Sequence, residues 1–424
     1  MTPSWQQLDL AAPLVEAMLE LGHLKPTRIQ QQVIPEAMAA QDILASSPTG
    51  TGKTLAYVLP AMQHLIDFPR QQPGSARVLI LAPTRELAAQ IHQQVERLCH
   101  FTGHQSLLVT GGVNFGSHLS AFESNLDILV STPGRLLDYL EQERFSAEDV
   151  EWLILDEADR MLDMGFATAV GAILAEARHV SQRLLFSATL EGTAIQRFSK
   201  ATLNEPVFID AQPPKRERGK IVQWVHVADT LEHKTALLQH LLNEYPLSVL
   251  VFVKTKERVL ELTAQLRTQN YRVSMLQGDM PQHARNQALA DFTTSKNRIL
   301  VATDVAARGI DIEDVQLVVN FDLPRRADVF VHRIGRTGRA GKKGLAVSLV
   351  EAHDADMLGR VERYLEEKLE RRVIKSLRPK YKFPEPGKGG NKKKKSKSPK
   401  RSAEAKKAAK RVAKKSAKKA ARKP

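Results

Sequence analysis

The chain has 424 residues, of which 42% are hydrophobic, and this is enough for two or three domains with packed cores. Its single cysteine, Cys99, excludes an internal disulfide and a cysteine-based zinc site. No apolar run approaches the ~20 residues that a membrane helix needs, and the N-terminal stretch lacks the pattern of a secretory signal or a mitochondrial presequence. From these exclusions we expect a cytoplasmic protein that does not act at a membrane.

Positive charge is concentrated at the C-terminal end of the chain. Residues 387–424 contain 18 Lys or Arg and a single acid, a net charge of +17, whereas the whole chain carries +15. Residues 1–386 therefore carry about −2, so the high isoelectric point belongs to the tail. A tail of this charge attracts polyanions, which favours nucleic-acid contact over the alternative of a solubilising or targeting tail.

Residues 1–207 alternate short apolar runs with amphipathic stretches. The apolar runs, each predicted to be a buried strand, are Ile43–Ala45, Val78–Ala82, Leu107–Thr110, Ile128–Val130, Leu153–Leu155 and Leu184–Phe186. An alternation of this kind predicts an α/β fold, with a parallel sheet that has helices on both faces.

A second block with the same kind of alternation covers residues 223–378. Its predicted strands are Val249–Val253, Ile299–Ala302, Leu317–Phe321 and Leu345–Val350, and its predicted helices include His233–Leu242 and Lys256–Leu266. The polar stretch 208–222 contains two prolines and is predicted to be an interdomain linker. Apolar periodicity ends after residue 378, and like-charge repulsion predicts a disordered basic tail over 379–424.

The stretch Ser47–Thr54 follows the first predicted strand and runs into a helical pattern that begins at Lys53. Its two glycines let backbone N–H groups turn toward a bound phosphate, and the helix N-terminus adds a partial positive charge. In such a loop Lys53 reaches the β- and γ-phosphates, and the hydroxyl of Thr54 holds Mg²⁺. The first position of the phosphate-loop pattern is Ser47 instead of Gly, so the alternative is a Gly-rich turn that caps an ordinary helix.

Other polar motifs begin where an apolar run ends. They are Pro83-Thr-Arg-Glu-Leu-Ala88, Thr132-Pro-Gly-Arg135, Asp156-Glu-Ala-Asp159 and Ser187-Ala-Thr189. In a parallel sheet all these points lie at the carboxyl edge, where ligands bind, so the motifs are predicted to share one cleft. Asp156 is suited to hold Mg²⁺, mainly through water, and Glu157 to orient and activate the attacking water. The alternative is a solvated acidic turn. This interpretation is less favoured if Lys53 faces the same cleft.

The second block ends in His332-Arg-Ile-Gly-Arg336-Thr-Gly-Arg339. These arginines form either an ordinary surface patch or, opposite a nucleotide, arginine fingers that stabilise charge on the transferring phosphoryl group. A whole domain separates them from Lys53, so the second interpretation predicts a cleft that is assembled when the two blocks close.

Together these motifs resemble those of the DEAD-box RNA helicases of superfamily 2, over roughly residues 5–350. The resemblance implies two tandem RecA-like domains joined by a flexible linker, with ATP and Mg²⁺ as cofactors and RNA as the partner. It also implies an RNA-stimulated ATPase that separates short RNA duplexes. By position, the catalytic residues would be Lys53, Asp156, Glu157, Arg336 and Arg339, and the metal ligands Thr54 and Asp156.

The resemblance implies further nucleotide contacts. Gly22–Gln30 is similar to an adenine-reading motif, in which Gln30 bonds the adenine edge, Trp5 is the isolated upstream aromatic, and His23 replaces the usual Phe or Tyr. The other implied nucleotide contacts are Ser47, Pro48, Thr49, Gly50, Thr51, Gly52, Lys53, Thr54 and Asp311. The residues that would couple hydrolysis to strand separation are Asp159, Ser187, Thr189 and His332.

Contacts with RNA are implied on both domains. They are Pro83, Thr84, Arg85, Gly111, Gly112, Thr132 and Arg135 in the first, and Gln277, Gly278, Asp279, Gln282, Arg285 and Thr303 in the second. Most of them would contact phosphate and sugar, which predicts binding that is nearly independent of base sequence. Contacts with the 2′-OH would favour RNA over DNA.

The stretches Leu155–Phe166 and Val350–Asp354, with the basic tail, are similar to a bacterial subgroup of the family that acts in assembly of the large ribosomal subunit. This similarity implies ribosomal RNA and pre-ribosomal particles as partners of a monomeric catalytic core. Two alternatives stay open: a DNA-directed translocase, and an RNA-annealing protein whose core is an ATP-gated clamp. The run Lys392–Arg401 also leaves open a nuclear address, and hence a eukaryotic nucleolar protein.

Overall fold

The chain folds into two β-sheets. The computed structural model describes residues 4–47, 50–112, 122, 125–187, 190, 192–211, 221–307, 315–338 and 343–384. Within these residues each sheet has seven strands, and the paired strands of both sheets are parallel. Helices flank both sheets, so the predicted α/β architecture is confirmed.

The first half of the chain contains the first sheet. Its strands are β1 (Ile43–Ser46), β2 (Val78–Leu81), β3 (Ser106–Val109), β4 (Ile128–Ser131), β5 (Trp152–Leu155), β6 (Gln182–Ser187) and β7 (Val207–Asp210). Its described helices are α1 (Ala12–Glu20), α2 (Arg28–Met38), α3 (Lys53–Asp67), α4 (Arg85–Thr102), α5 (Pro133–Glu141), α6 (Ala158–Asp163), α7 (Ala167–Glu176) and α8 (Thr193–Thr202). The strand order is β3-β4-β2-β5-β6-β1-β7, which puts β5, β6 and β1 side by side.

The first sheet is buried on both faces. Val78 and Ile80 of β2 belong to one apolar core, whereas Leu79 and Leu81 belong to another, and none of the four is more than 1% exposed. Successive side chains of a strand point to opposite faces, so a strand between two helical layers must be apolar throughout. This is why the strands appear in the sequence as unbroken apolar runs.

The second half of the chain contains the second sheet. Its strands are β8 (Ile221–Val227), β9 (Val249–Val253), β10 (Val273–Leu276), β11 (Ile299–Thr303), β12 (Leu317–Asn320), β13 (Gly344–Val350) and β14 (Glu370–Arg371). Its described helices are α9 (Leu231–Glu244), α10 (Lys256–Thr268), α11 (Gln282–Thr293), α12 (Asp304–Ala307), α13 (Ala327–Ile334) and α14 (Ala355–Leu365). No described helix of either half is both long and apolar enough to cross a bilayer.

The two halves have the same topology. The second sheet has the order β10-β11-β9-β12-β13-β8-β14, which is the order of the first sheet with seven added to each strand number. The halves therefore share one architecture, although their sequences show no residue-level repeat. Each strand of the second sheet therefore has the same neighbours as its counterpart in the first sheet.

The boundary between the halves differs slightly from the sequence-based one. Strand β7 pairs with β1 and ends at Asp210, so the predicted linker, which starts at residue 208, overlaps the last strand of the first sheet. Only Ile209 of this strand is fully buried, because β7 is an edge strand, and its sequence therefore has a weak strand signal. Strand β8 begins at Ile221, inside the last two residues of the predicted linker.

The chain continues to contact the second half beyond residue 378. The carboxylate of Asp229 accepts hydrogen bonds from the backbone N–H groups of Lys380 and Tyr381 at 2.7 and 3.1 Å. The carbonyl of Leu377 lies 3.0 Å from Nε2 of His233. These polar contacts leave no trace in apolar periodicity, which explains why the pattern predicts an earlier end to the domain.

Candidate active site

The candidate site lies at the carboxyl ends of three neighbouring strands of the first sheet. Strand β1 leads into the loop before α3, β5 is followed by Asp156, and β6 ends at Ser187. The backbone N–H of Ser47 donates to the carbonyl of Ser187 at 3.2 Å, which joins the phosphate loop to the motif after β6. The predicted convergence of these motifs on one edge is therefore observed.

The described part of the loop Ser47–Thr54 is tightly turned. Gly50 and Gly52 have φ angles of 78° and 91°, a region that side chains disfavour. The hydroxyls of Ser47 and Thr51 lie 2.5 Å apart, and this hydrogen bond joins the two sides of the loop. Pro48 and Thr49, two of the predicted nucleotide contacts, lie outside the described residues.

The side-chain amide of Gln30 links the start of α2 to the phosphate loop. Its Oε1 accepts from the backbone N–H of Thr27 at 2.7 Å, and its Nε2 donates to the carbonyl of Gly52 at 3.0 Å. A Cβ atom added to Gly52 would lie 2.5 Å from Nε2 of Gln30, so a side chain at this position would displace the Gln30 amide. The contact with adenine implied for Gln30 stays a prediction, whereas its contact with the loop is direct.

Trp5 belongs to the core of the first half. Its indole ring is 1% exposed, and its Nε1 donates to the carbonyl of His23 at 2.5 Å. The exposed His23 side chain thus belongs to a stretch that Trp5 holds in place through its backbone. The structure gives Trp5 a packing role, and nucleotide contact by Trp5 and His23 stays a prediction.

Two buried groups of opposite charge face each other at the loop. Lys53 is 7% exposed and Asp156 is 2% exposed. Within the described chain, neither Nζ of Lys53 nor Oδ1 of Asp156 has a hydrogen-bond partner. Burial raises the pKa of Asp156, and the positive charge of Lys53 opposes that rise. Buried polar atoms left in this state fit a site that a nucleotide phosphate and its cation complete.

A tyrosine that the sequence analysis did not single out lies beside Asp156. The Tyr57 side chain is fully buried, and its hydroxyl donates to Oδ2 of Asp156 at 2.9 Å. Burial and then the charge of Asp156 raise the pKa of Tyr57 well above its usual value, so the phenol stays protonated. The one available signal was its spacing, four residues after Lys53, which is one helical turn.

Glu157 is held by an ion pair within its own helix. Nη1 of Arg160 lies 2.5 Å from Oε2 of Glu157, and the two side chains are only 4% and 6% exposed. Glu157 has a φ angle of 55°, which is uncommon for a residue other than glycine. This backbone turn ends the strand stretch at Asp156 and starts α6, so Asp156 and Glu157 take up different positions in the cleft. Asp159 lies half-buried in the first turn of α6.

Residues of the second half meet this acidic motif. Arg160 lines a cavity of about 20 Å³ together with His332, Arg336 and other residues of the second half. Burial lowers the pKa of His332 to about 3, and the positive charge of Arg160 is the next largest cause. His332 and Arg336 thus lie beside Arg160, which directly follows the acidic motif of the first half, and their approach to a nucleotide at Lys53 and Glu157 stays a prediction. Arg339 and Asp311 lie outside the described residues.

Arg333 lines the same cavity, and its donors bind groups of the second half. Its Nε and Nη2 bind the two carboxylate oxygens of Asp304 at 2.5 and 2.8 Å, and its Nη1 donates to the carbonyl of Asp322 at 2.5 Å. The guanidinium also lies 4.9 Å from the ring centre of Phe252. Arg333 therefore fixes α13 on the second sheet, and this helix carries His332 and leads to Arg336.

The predicted RNA contacts of the first half lie at helix N-termini. Thr84 precedes α4 and accepts from the N–H of Leu87 at 3.3 Å, and Thr132 precedes α5. An added Cβ at Gly112 would collide with Nη1 of Arg85, so Gly112 leaves space for that guanidinium. Helix N-termini and nearby guanidinium groups are suited to bind phosphate. Pro83 is buried directly before Thr84, Gly111 also borders Arg85, and Arg135 lies over the ring of Tyr139.

The predicted RNA contacts of the second half are less uniform. Gly278 is exposed after β10, whereas Thr303 is 7% exposed at the end of β11, where it accepts from the N–H of Ala306 at 3.3 Å. Arg285 forms an ion pair with Glu86 of the first half at 2.7 Å and donates to the carbonyl of Ala306 at 2.7 Å. Glu86 was not singled out by the sequence analysis. Thr189, a predicted coupling residue, lies outside the described residues.

Comparisons with known proteins agree with this arrangement. The family model described as "DEAD/DEAH box helicase" matches residues 27–198, and the model described as "Helicase conserved C-terminal domain" matches residues 232–341. These two ranges contain the phosphate loop and acidic motif in the first half, and the motif with His332 and Arg336 in the second.

Relatives match over most of their own length. The chain is 52% identical to the ATP-dependent RNA helicase SrmB of Escherichia coli over 382 residues, which cover 90% of this chain and 86% of that protein. It is 38% identical to the ATP-dependent rRNA helicase RRP3 of Coccidioides immitis, over 87% of this chain and 77% of that protein. Among solved structures, Saccharomyces cerevisiae Dbp5 bound to RNA and ADP BeF3 has a TM-score of 0.76 at 28% identity, over 88% of this chain and 96% of that one.

Proposed function

The chain belongs to the DEAD/DEAH box helicase family and is an ATP-dependent RNA helicase, and we propose that it separates short RNA duplexes by closing its two halves around ATP and one RNA strand. The observation that carries this proposal is the contact between the acidic motif of the first half and the arginine motif of the second. Arg160, beside Glu157, shares a cavity with His332 and Arg336. Residues for hydrolysis thus come from both halves, so turnover depends on closure.

In the proposed hydrolysis each residue has a separate task. Lys53 binds the β- and γ-phosphates, and Glu157 orients and activates the attacking water. Arg336, joined by Arg339, stabilises the charge that develops on the transferring phosphoryl group. Thr54 and Asp156 would hold Mg²⁺, which neutralises charge on the phosphate oxygens when it is bound. The unpartnered buried atoms of Lys53 and Asp156 support these assignments.

The proposed grip on RNA uses backbone contacts from both halves. In the first half the helix N-termini at Thr84 and Thr132, with Arg85, bind phosphates of one strand, and Gly278 and Thr303 do so in the second. A strand held on both halves follows a bent path that a duplex cannot follow, so the second strand leaves. Phosphate release then reopens the cleft. Such contacts do not read bases, so the helicase acts on many sequences.

The proposed physiological substrate is ribosomal RNA within pre-ribosomal particles, with the catalytic core acting as a monomer in the cytoplasm. Support comes from the relatives, since RRP3 of Coccidioides immitis is named an rRNA helicase and the chain is 52% identical to the bacterial SrmB. The basic segment 387–424 would keep the core close to structured RNA and raise its effective concentration there.

Three variants test the hydrolytic assignments. Lys53→Ala should abolish RNA-stimulated ATP hydrolysis, whereas Lys200→Ala, which removes an exposed lysine of α8, should leave it unchanged. Glu157→Gln should bind ATP and RNA but release RNA slowly, because the closed complex cannot hydrolyse ATP. Normal turnover in Lys53→Ala, or rapid RNA release by Glu157→Gln with ATP, would contradict the proposal. Competition between RNA and DNA strands in the ATP hydrolysis assay tests the preference for RNA.

A further inference from the structure

The hydroxyl of Tyr57 touches one of the two residues proposed to hold Mg²⁺. It donates to Oδ2 of Asp156 at 2.9 Å. The Tyr57 ring is fully buried on α3 and lies 5.1 Å from the ring of Phe186, on the neighbouring strand β6. None of the proposed steps of hydrolysis uses Tyr57, so this contact requires a separate account.

The contact makes the two carboxylate oxygens of Asp156 unequal. Oδ2 accepts the hydrogen bond from Tyr57, whereas Oδ1 is buried and has no hydrogen-bond partner in the described chain. The Tyr57 hydroxyl is the donor in this contact, and its ring is fully buried on α3. Asp156 therefore offers a single oxygen to a ligand that enters the cleft.

A carboxylate with one available oxygen does not serve all divalent cations equally. Mg²⁺ is small, requires nearly octahedral geometry, keeps several waters and takes few protein ligands. Ca²⁺ is larger and takes six to eight oxygens, often with both oxygens of one carboxylate. Since the second oxygen of Asp156 is held by Tyr57, the site satisfies the first cation better than the second.

We propose that Tyr57 is a positioning residue that restricts Asp156 to one free oxygen and thereby makes the site prefer Mg²⁺ over Ca²⁺ as the cation of the bound nucleotide. The proposal rests on the proposed function of Asp156 as a metal ligand. It adds a determinant of metal choice that lies on α3, outside the acidic motif itself.

The test is the metal dependence of nucleotide binding by the full chain. A fluorescent, non-hydrolysable ATP analogue is titrated with MgCl₂ or CaCl₂, and the half-saturating concentration of each metal is measured. Tyr57→Phe keeps the buried ring and removes only the hydroxyl. We expect the ratio of the Ca²⁺ midpoint to the Mg²⁺ midpoint to fall by about fivefold, the effect of one net hydrogen bond. The loss should come from a weaker response to Mg²⁺ with an equal or stronger response to Ca²⁺.

The matched control is Tyr271→Phe in the second half. It also removes a tyrosine hydroxyl with a hydrogen bond, in this case to Oδ1 of Asn243 at 2.7 Å. Its metal ratio should equal that of the wild-type chain. An unchanged ratio in Tyr57→Phe, or equal weakening of both metals, would overturn the proposal. Asp156→Ala is measured in parallel, since a Mg²⁺ preference that survives this change refutes the metal role of Asp156 itself.

Discussion

Nε of Arg285 lies 2.7 Å from Oε1 of Glu86, and this ion pair joins the second half of the chain to the first. Both side chains are 13% exposed, so the charges are partly shielded from water. Gln282, one helical turn before Arg285 on α11, donates to the same oxygen of Glu86 at 3.2 Å. Since Glu86 follows Arg85 in the first turn of α4, the pair connects a proposed RNA contact of the first half to the second half.

This pair predicts that Glu86 matters for RNA binding only when the halves are closed. Glu86→Gln should weaken RNA affinity in the presence of a non-hydrolysable ATP analogue and leave ATP-free RNA binding unchanged. Combined with Arg285→Gln in a double-mutant cycle, it should show a coupling of about 1 kcal/mol. The measurement is fluorescence anisotropy of a labelled RNA strand. Additive effects of the two changes would show that the pair does not stabilise closure.

A second prediction concerns the buried ion pair of Arg160 with Glu157. Arg160→Met removes the cation and leaves a carboxylate that is only 6% exposed without its charged partner. Breaking a buried pair in this way costs about 3–5 kcal/mol. Urea unfolding should detect the loss, and Glu157→Gln in the same chain should recover part of it. Arg144→Met, on the exposed surface of the first half, is the control, and equal losses in the two methionine variants would contradict the prediction.

Placement at the ends of strands is the part of the site that sequence predicts well. Lys53, Asp156 and Ser187 follow apolar runs, and parallel pairing of β5, β6 and β1 brings them together whatever the details of packing. The sequence pattern does not predict which side chains contact one another. Tyr57 reaches Asp156 across 99 positions and Arg285 reaches Glu86 across the two halves, and such contacts depend on rotamers and on the docking of the sheets. Apolar periodicity contains no information about either.

The same limit applies to the arginines of the second half, because their spacing in the sequence does not show what each one contacts. Arg333 and Arg336 are three residues apart in one motif, and both line the cavity with Arg160. Arg333 is also tied to Asp304 and to the carbonyl of Asp322, contacts that hold α13 on the second sheet. A charge pattern predicts that arginines are present at the cleft. Only the positions of acceptors such as Asp304 show that one of them also fixes the helix.

The burial of His332 predicts that closure depends on pH. In the closed arrangement its pKa is lowered to about 3, chiefly by burial and then by the charge of Arg160, whereas an exposed histidine titrates near 6.5. The open form therefore binds a proton below pH 6.5 that closure must release. The equilibrium constant for closure is therefore unaffected above pH 6.5. Below that pH it falls by about tenfold per pH unit.

The measurement is RNA affinity with the non-hydrolysable ATP analogue between pH 7.5 and 5.5. His332→Gln should show a much shallower decline below pH 6.5, because it has no proton to release. His353→Gln removes a histidine whose side chain is 66% exposed, and should keep the wild-type profile. Identical profiles for the wild type and His332→Gln would assign the pH dependence to other groups.

The contact of Gln30 with Gly52 predicts a local effect on nucleotide binding. Gly52→Ala places a Cβ atom 2.5 Å from Nε2 of Gln30, at a φ angle of 91°. Gly103→Ala at φ 75° introduces similar backbone strain but meets nothing within 4 Å. Both changes should lower the free energy of unfolding by roughly 1–2 kcal/mol. Only Gly52→Ala should also weaken ATP binding, because only this Cβ atom displaces the side-chain amide of Gln30. Equal ATP affinity in the two glycine variants would argue against the contact.

The charge of residues 387–424 predicts how salt acts on RNA binding. This segment carries +17, whereas the rest of the chain is close to neutral, so most counterion release on RNA should come from the segment. If about five of its cations contact phosphates of single-stranded RNA, its deletion should reduce the slope of log K against log salt by about 3.5. A variant in which a neutral Gly/Ser sequence of equal length replaces it separates charge from length. Basal ATP hydrolysis, which depends on Lys53 and Glu157, should be the same in all three chains. A slope that is unchanged by deletion would place the salt-sensitive contacts on the two halves and would remove the tether from the mechanism.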